Sequence, residues 1–186
     1  MESNQLFLAL SSFILGIAGK YADLLNEHGL KKPFRGADLL AGYIWGFAGV
    51  GMLLASPLGG LTYVAHILYW FWRIKLEYPN HALAGVIMLL GAFCCRGEFL
   101  QEHFFDLFAV FAAYLLTGYL QSRCRETWPR TAFFWRLRLR IYLIPLAYSF
   151  YTSSWDPLIA TCSGMIGCEW ITWSFREYRE ERLQRT

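Results

Sequence analysis

LLAGYIWGFAGVGMLLASPLGGLTYVAHILYWFW, residues 39–72, contains no Asp, Glu, Lys or Arg, and its single ionisable imidazole is His66. Its apolar residues do not alternate and show no polar face, so it reads as two helices that are apolar on all sides, Leu39–Ala55 and Leu61–Trp72. SPLGG between them is the shortest kind of turn. A helix needs about 20 apolar residues to cross a hydrocarbon layer roughly 30 Å thick. The stretch therefore predicts a hairpin of membrane helices.

The rest of the chain repeats the pattern. Apolar runs recur at Leu6–Ile17, Ala82–Cys95, Phe104–Leu120, Ile141–Tyr151 and Pro157–Phe175. The shorter runs are completed by flanking Tyr, Trp and Phe, which suit the membrane interface. Over 186 residues the chain is 56% hydrophobic and only 17% charged, too little polar surface for a soluble domain of this size. The expected fold is all-α: a polytopic transmembrane helix bundle of about seven spans, with six as the alternative, forming one domain over 1–186. No cation precedes the first apolar run, so that run is expected to be an uncleaved span and not a signal peptide.

Charge placement predicts orientation. Lys20, Lys31, Lys32 and Arg35 follow span one, and Arg73 and Lys75 follow span three. Arg123, Arg125, Arg130, Arg136, Arg138 and Arg140 follow span five, and Arg176, Arg179, Arg182 and Arg185 follow span seven. Only Arg96, of 17 cations, falls on the other side. Cytosolic loops are enriched in Lys and Arg, so the N-terminus should be outside and the C-terminus cytosolic. The net charge of +3 thus describes topology, and no nucleic-acid partner is expected. Residues 122–140, with Phe133, Phe134 and Trp135 among arginines, should lie in the cytosolic interface against anionic lipid.

The five cysteines have no metal-type spacing and read as small apolar filler. Gly42 and Gly46 form G-x-x-x-G, and Ala160, Gly164 and Cys168 place small residues at every fourth position. Such stripes let helices pack closely in lipid, within the chain or in a homo-oligomer.

Three polar groups are candidate sites. The first is YADLLNEHGLKKPFRGADLL, residues 21–40, joined by Asn80 and His81 at the start of span four. If spans one, two and four are neighbours, Asp23, His28, Asp38 and His81 could meet at the cytosolic surface. Carboxylates and imidazoles so grouped could perform acid–base chemistry or hold a divalent metal such as Mg. Asn26, Asn80, Lys31, Lys32, Arg35 and Arg73 would bind the substrate. A purely structural role is available to each residue as well. Lys20, Asp23, Glu27 and Lys31 would form ion pairs along a helix, His28–Gly29 would end it, and Asp38 would be the N-cap of span two.

The second candidate is deeper. His66 in span three and Glu169 in span seven are ionisable groups inside apolar helices, which tend to face the bundle interior. They could pair, relay protons or polarise a ligand. The third is Glu98, Glu102 and Asp106, at i, i+4 and i+8, an acidic helix face or simply first-turn acids.

No G-x-S-x-G, H-E-x-x-H or P-loop occurs. The expected function is an integral membrane enzyme acting on a lipid or isoprenoid substrate at the cytosolic face, with membrane lipids as its other partners. The alternatives are a small oligomeric transporter using Glu169 and His66, and a non-catalytic membrane scaffold.

Overall fold

The computed structural model describes residues 3–73, 78–127 and 139–176. Among them are seven α-helices and no strand: α1 (Ser3–Asn26), α2 (Ala37–Ala55), α3 (Pro57–Trp72), α4 (Pro79–Glu102), α5 (Phe104–Thr127), α6 (Leu139–Thr152) and α7 (Asp156–Ser174). Most of the interfacial segment expected at 122–140, and the arginines at 179, 182 and 185, lie outside the described residues.

Four helices, α1, α2, α4 and α5, are long and apolar enough to cross a membrane. At 16 and 14 residues, α3 and α6 fall short of the usual length. The 19 residues of α7 include Asp156, Glu169 and several hydroxyls. The outer surface of the bundle is apolar, with Phe47, Phe93, Phe105, Phe150, Trp170 and Trp173 all exposed. A water-soluble monomer rarely presents so much apolar area.

The helices run alternately up and down, as contacts at the two ends show. At one end α1 meets α4 through Asp23 and His81, α3 meets α6 through Tyr69 and Arg140, and α1 meets α7 through Tyr21 and Phe175. At the other end Arg96 of α4 donates to the carbonyls of Leu53 and Leu54 in the last turn of α2, at 3.4 and 2.9 Å. Also at that end, the hydroxyls of Tyr148 and Tyr151 in α6 approach Asp106 of α5. Arg96 thus closes a helix C-terminus, whose last carbonyls lack partners and carry negative partial charge. Its own backbone leaves helical geometry (φ −140°, ψ 25°), kinking α4 at this point.

Glycine sets two of the tightest seams. A Cβ at Gly16 of α1 would overlap the Gly164 carbonyl of α7, and one at Gly167 would overlap Phe13 O. Cys168 closes the same seam, its thiol donating to Gly16 O at 3.3 Å. In α2, a Cβ at Gly42 would stand 2.7 Å from Asn80 O of α4, and one at Gly46 would stand 2.8 Å from Ile87. Both small-residue stripes therefore serve contacts within this chain.

Three sequence expectations change. Asp38 is not the N-cap of α2: Gly36 holds that position with φ +94°, and Asp38 sits inside the first turn with its carboxylate 2.6 Å from Lys32 Nζ. The acidic face at Glu98, Glu102 and Asp106 is divided, because the chain breaks at His103 (φ −103°, ψ 29°) between α4 and α5. Asp106 then turns toward the tyrosines of α6. The SPLGG turn shrinks to Ser56 alone, since Pro57 opens α3 and Ser56 Oγ accepts from Gly59 N at 3.1 Å. Proline is pre-shaped for a first helical position, which is why the connection can be this short.

Candidate functional site

α1 ends where its polar residues begin. Gly29 takes a left-handed conformation (φ +65°), and Leu30 N–H returns to Leu24 O at 2.8 Å, folding the chain back. Leu30 then packs with Leu24, Leu25 and Ala37. The last turn of α1, carrying Asp23 and Asn26, and Glu27 just after it are held against the bundle in this way.

The first turn of α4 faces it. Pro79 starts that helix, and the missing side chain of Gly42 lets Asn80 lie directly on α2. His81 follows, 5% exposed, with Trp45 edge-on to its ring at 5.3 Å and Tyr78 at 5.6 Å. Its Nε2–H donates to Asp23 Oδ1 at 2.8 Å. The other oxygen of Asp23 lies 3.7 Å from Lys20 Nζ, one turn earlier on α1. Around this pair several buried polar atoms have no hydrogen-bond partner among the described residues: His81 Nδ1, Asn80 Nδ2 and Asn26 Nδ2. Buried polar groups in folded proteins are nearly always satisfied, so such a group points to water, an ion or a ligand.

A cavity of about 130 Å³ opens beside Asp23. From α1 it is lined by Leu15, Gly16, Gly19, Lys20 and Asp23, and from α3 by Thr62, Tyr63, His66 and Trp70. Residues 15 to 23 span about 12 Å of helix, which sets the length of the space. α7 contributes Thr161, Gly164, Met165 and Cys168, and the remaining wall is Trp45, Tyr114 and Ile141. Its floor is aromatic: His66 stacks on Tyr114 with centroids 4.8 Å apart and meets Trp70 edge-on at 4.9 Å. Arg140 stands behind this wall, donating to Tyr69 Oη at 3.1 Å with its guanidinium over that ring. Lys20 and Asp23 are thus the charged residues of the lining, and the rest of the wall is largely apolar, broken by the His66 imidazole and the hydroxyls of Thr62, Tyr63, Tyr114 and Thr161.

The candidate residues separate accordingly. Asp23 and His81 are in contact, and Asp23 and His66 line one cavity. Asn80 is buried beside His81, its Oδ1 accepting from His81 N at 2.9 Å. Asp38 is engaged by Lys32, while His28, Lys31, Arg35 and Arg73 are exposed outside the cavity lining. Glu169 is exposed on the outer face of α7, and among the described residues no hydrogen bond or ion pair joins it to His66. With α7 turned so that Gly164 and Gly167 meet α1, position 169 has to face outward.

Beyond Asp23 and His66, the cavity wall is built from residues that were not sequence candidates, Lys20, Trp45, Tyr63 and Tyr114 among them. Glu27, expected only as an ion-pair member, lies outside that lining but beside the site, since Asp23, Glu27 and His81 each bring one ligand-capable atom within 4.8 Å of the others. Of these, only Lys20 and Glu27 carried a signal, because positions three and four residues from Asp23 share its helix face. Compared with known protein families, curated proteins and solved structures, the chain matches none.

Proposed function

We propose that the chain is a multi-pass membrane enzyme, with about seven embedded helices, that acts on the headgroup of a lipid or isoprenoid at the cytosolic face. The observation that carries this reading is the Asp23–His81 contact beside a cavity whose charged lining residues are Lys20 and Asp23 and whose wall is otherwise largely apolar. An amphipathic molecule fits that polarity, with its polar group at Lys20 and Asp23 and its chain toward His66 and Tyr114.

In this reading Asp23 touches the substrate. It accepts or delivers a proton, or balances positive charge that develops on the headgroup. His81 is a positioning residue: its Nε2–H holds Asp23 at one rotamer from behind the cavity wall. Lys20 would hold an anionic substituent such as a phosphate. The surrounding apolar wall lowers the local dielectric and strengthens each of these interactions.

The test compares the lipid extracts of host cells expressing the wild type, Asp23→Asn and His81→Gln at matched levels in the membrane. The expected result is a lipid species that accumulates or disappears with the wild type and stays at the empty-vector level with Asp23→Asn. Lipid profiles that are the same for wild type and empty vector, or that change equally with both variants, overturn the proposal.

A further inference from the structure

We infer that Asp23, Glu27 and His81 form a binding site for a divalent transition-metal ion, of the Zn²⁺, Mn²⁺ or Fe²⁺ class. The inference builds on the reading of Asp23 and His81 as the working end of the cavity and supplies the cofactor of that site. Glu27 is the first residue past α1, and its N–H still returns to Asp23 O at 2.7 Å, so the two carboxylates stand about one helical turn apart. His81 comes from the first turn of α4, and its Nε2 is the ring nitrogen that faces the acids. The other nitrogen, Nδ1, is sealed inside the bundle.

Distances agree with ligation. Two ligands at right angles around an ion with bonds of about 2.1 Å stand about 3.0 Å apart. Asp23 Oδ1 and His81 Nε2 are 2.8 Å apart. The third donor, on Glu27, is within 4.8 Å of both. Glu27 is exposed, so its side chain can swing in to close the set without disturbing the packing. The exposure also gives an ion a route from water, while Asp23, with 31% of its side chain exposed, bridges that route to the cavity.

Donor chemistry narrows the ion. Mg²⁺ and Ca²⁺ prefer sites made only of oxygen, whereas an imidazole beside two carboxylates suits first-row transition metals and zinc. Three protein ligands leave positions open, as catalytic sites require. Binding moves the imidazole proton: the ion takes the place of the Nε2 hydrogen, and the ring stays neutral by carrying its one proton on Nδ1 instead. Lys20 opposes the ion, since its ammonium lies 3.7 Å from Asp23 Oδ2.

The experiment uses the full chain, purified in detergent and stripped with a chelator, then titrated separately with Zn²⁺, Mn²⁺ and Co²⁺. Bound metal is counted by elemental analysis, and Co²⁺ ligation is followed by its visible absorption. Close to one equivalent should bind, and Glu27→Gln should weaken binding at least about tenfold, a loss that even outer-shell changes commonly produce. Asp23→Asn should do the same, and Lys20→Met should bind more tightly than wild type. Glu27 is exposed, so its variant keeps the fold, and an unchanged melting temperature verifies that. Binding that Glu27→Gln and Asp23→Asn leave unchanged, or no binding at all, overturns the metal site.

Failure of the metal site and failure of the enzyme reading are distinguishable. A lipid change that depends on Asp23 in a protein that binds no ion would leave the enzyme without this cofactor. Stoichiometric, Glu27-dependent binding with unaltered lipids would leave the metal site without this enzyme.

Discussion

Two aspartates near the same end of the bundle illustrate what one side chain contributes. Asp23 and Asp38 look alike in the sequence, each a lone acid beside apolar residues. Asp38 pairs with Lys32, whose side chain is 43% exposed, and such pairs contribute at most about 1 kcal/mol. Asp23 satisfies a histidine that is otherwise sealed in protein. Removing it leaves a buried Nε2–H without an acceptor, which costs about 1–3 kcal/mol. Asp38→Ala should therefore lower thermal stability in detergent only slightly and leave the lipid phenotype intact. Asp23→Ala should lower stability several times as much and abolish the phenotype, and equal effects of the two would count against the site. The pairing of Asp23 with His81 was accessible to sequence reasoning only as a condition, that spans one, two and four be neighbours. Glu169 shows the limit in the other direction. Its burial depends on the rotation of α7, and a helix apolar on all sides carries no moment to fix that rotation.

At the level of elements, the apolar runs locate the seven helices closely, because length and all-round hydrophobicity are strong local signals. The breaks are another matter. RGEFLQEHFFD contains no proline, and its glycine, Gly97, lies well before the break, so nothing local marks the end of α4 at His103. Rather, tertiary contacts terminate that helix. Arg96 leaves the helical path to reach the end of α2, and Asp106 turns toward α6. The glycine seams were legible as motifs, yet their partners were not. They yield a test of how the cavity is framed. Gly16→Ala would drive a methyl group into the Gly164 carbonyl, and relief requires α1 and α7 to separate. Overpacking of this kind costs about 1–3 kcal/mol. Both glycines line the cavity, so the variant should lose thermal stability and, if the cavity is the substrate site, turnover as well. Gly97→Ala, where an added methyl meets nothing within 4 Å, is the matched control and should melt at or above the wild-type temperature. A Gly16→Ala protein as stable as that control would show that the seam is looser than described.

For the molecule as a whole, the alternation of the helices and the distribution of charge bear on the same question. The end of the bundle that carries Asp23 and His81 is also the end of Lys20, Lys32, Arg35, Arg73 and Arg140. The opposite end has Arg96, already committed to the carbonyls of α2, together with Asp106 and Asp156. If the bundle sits in a membrane, the positive-inside bias places the Asp23 end in the cytosol, where a soluble co-substrate or metal ion can reach it. Arg35, in the loop before α2, and Ser153, in the turn between α6 and α7, are both exposed and mark the two ends. Arg35→Cys and Ser153→Cys, each in a background without the native cysteines, can be challenged in intact cells with a maleimide that does not cross membranes. Ser153→Cys should react in intact cells, and Arg35→Cys only after the membrane is opened. The reverse pattern would keep the spans and invert the protein, moving the site outside and removing the cytosolic-face proposal. Reaction of both positions from the same side would mean that an even number of crossings separates them. The short helices α3 and α6 would then be the first to be reassigned from spans to segments lying within the interface.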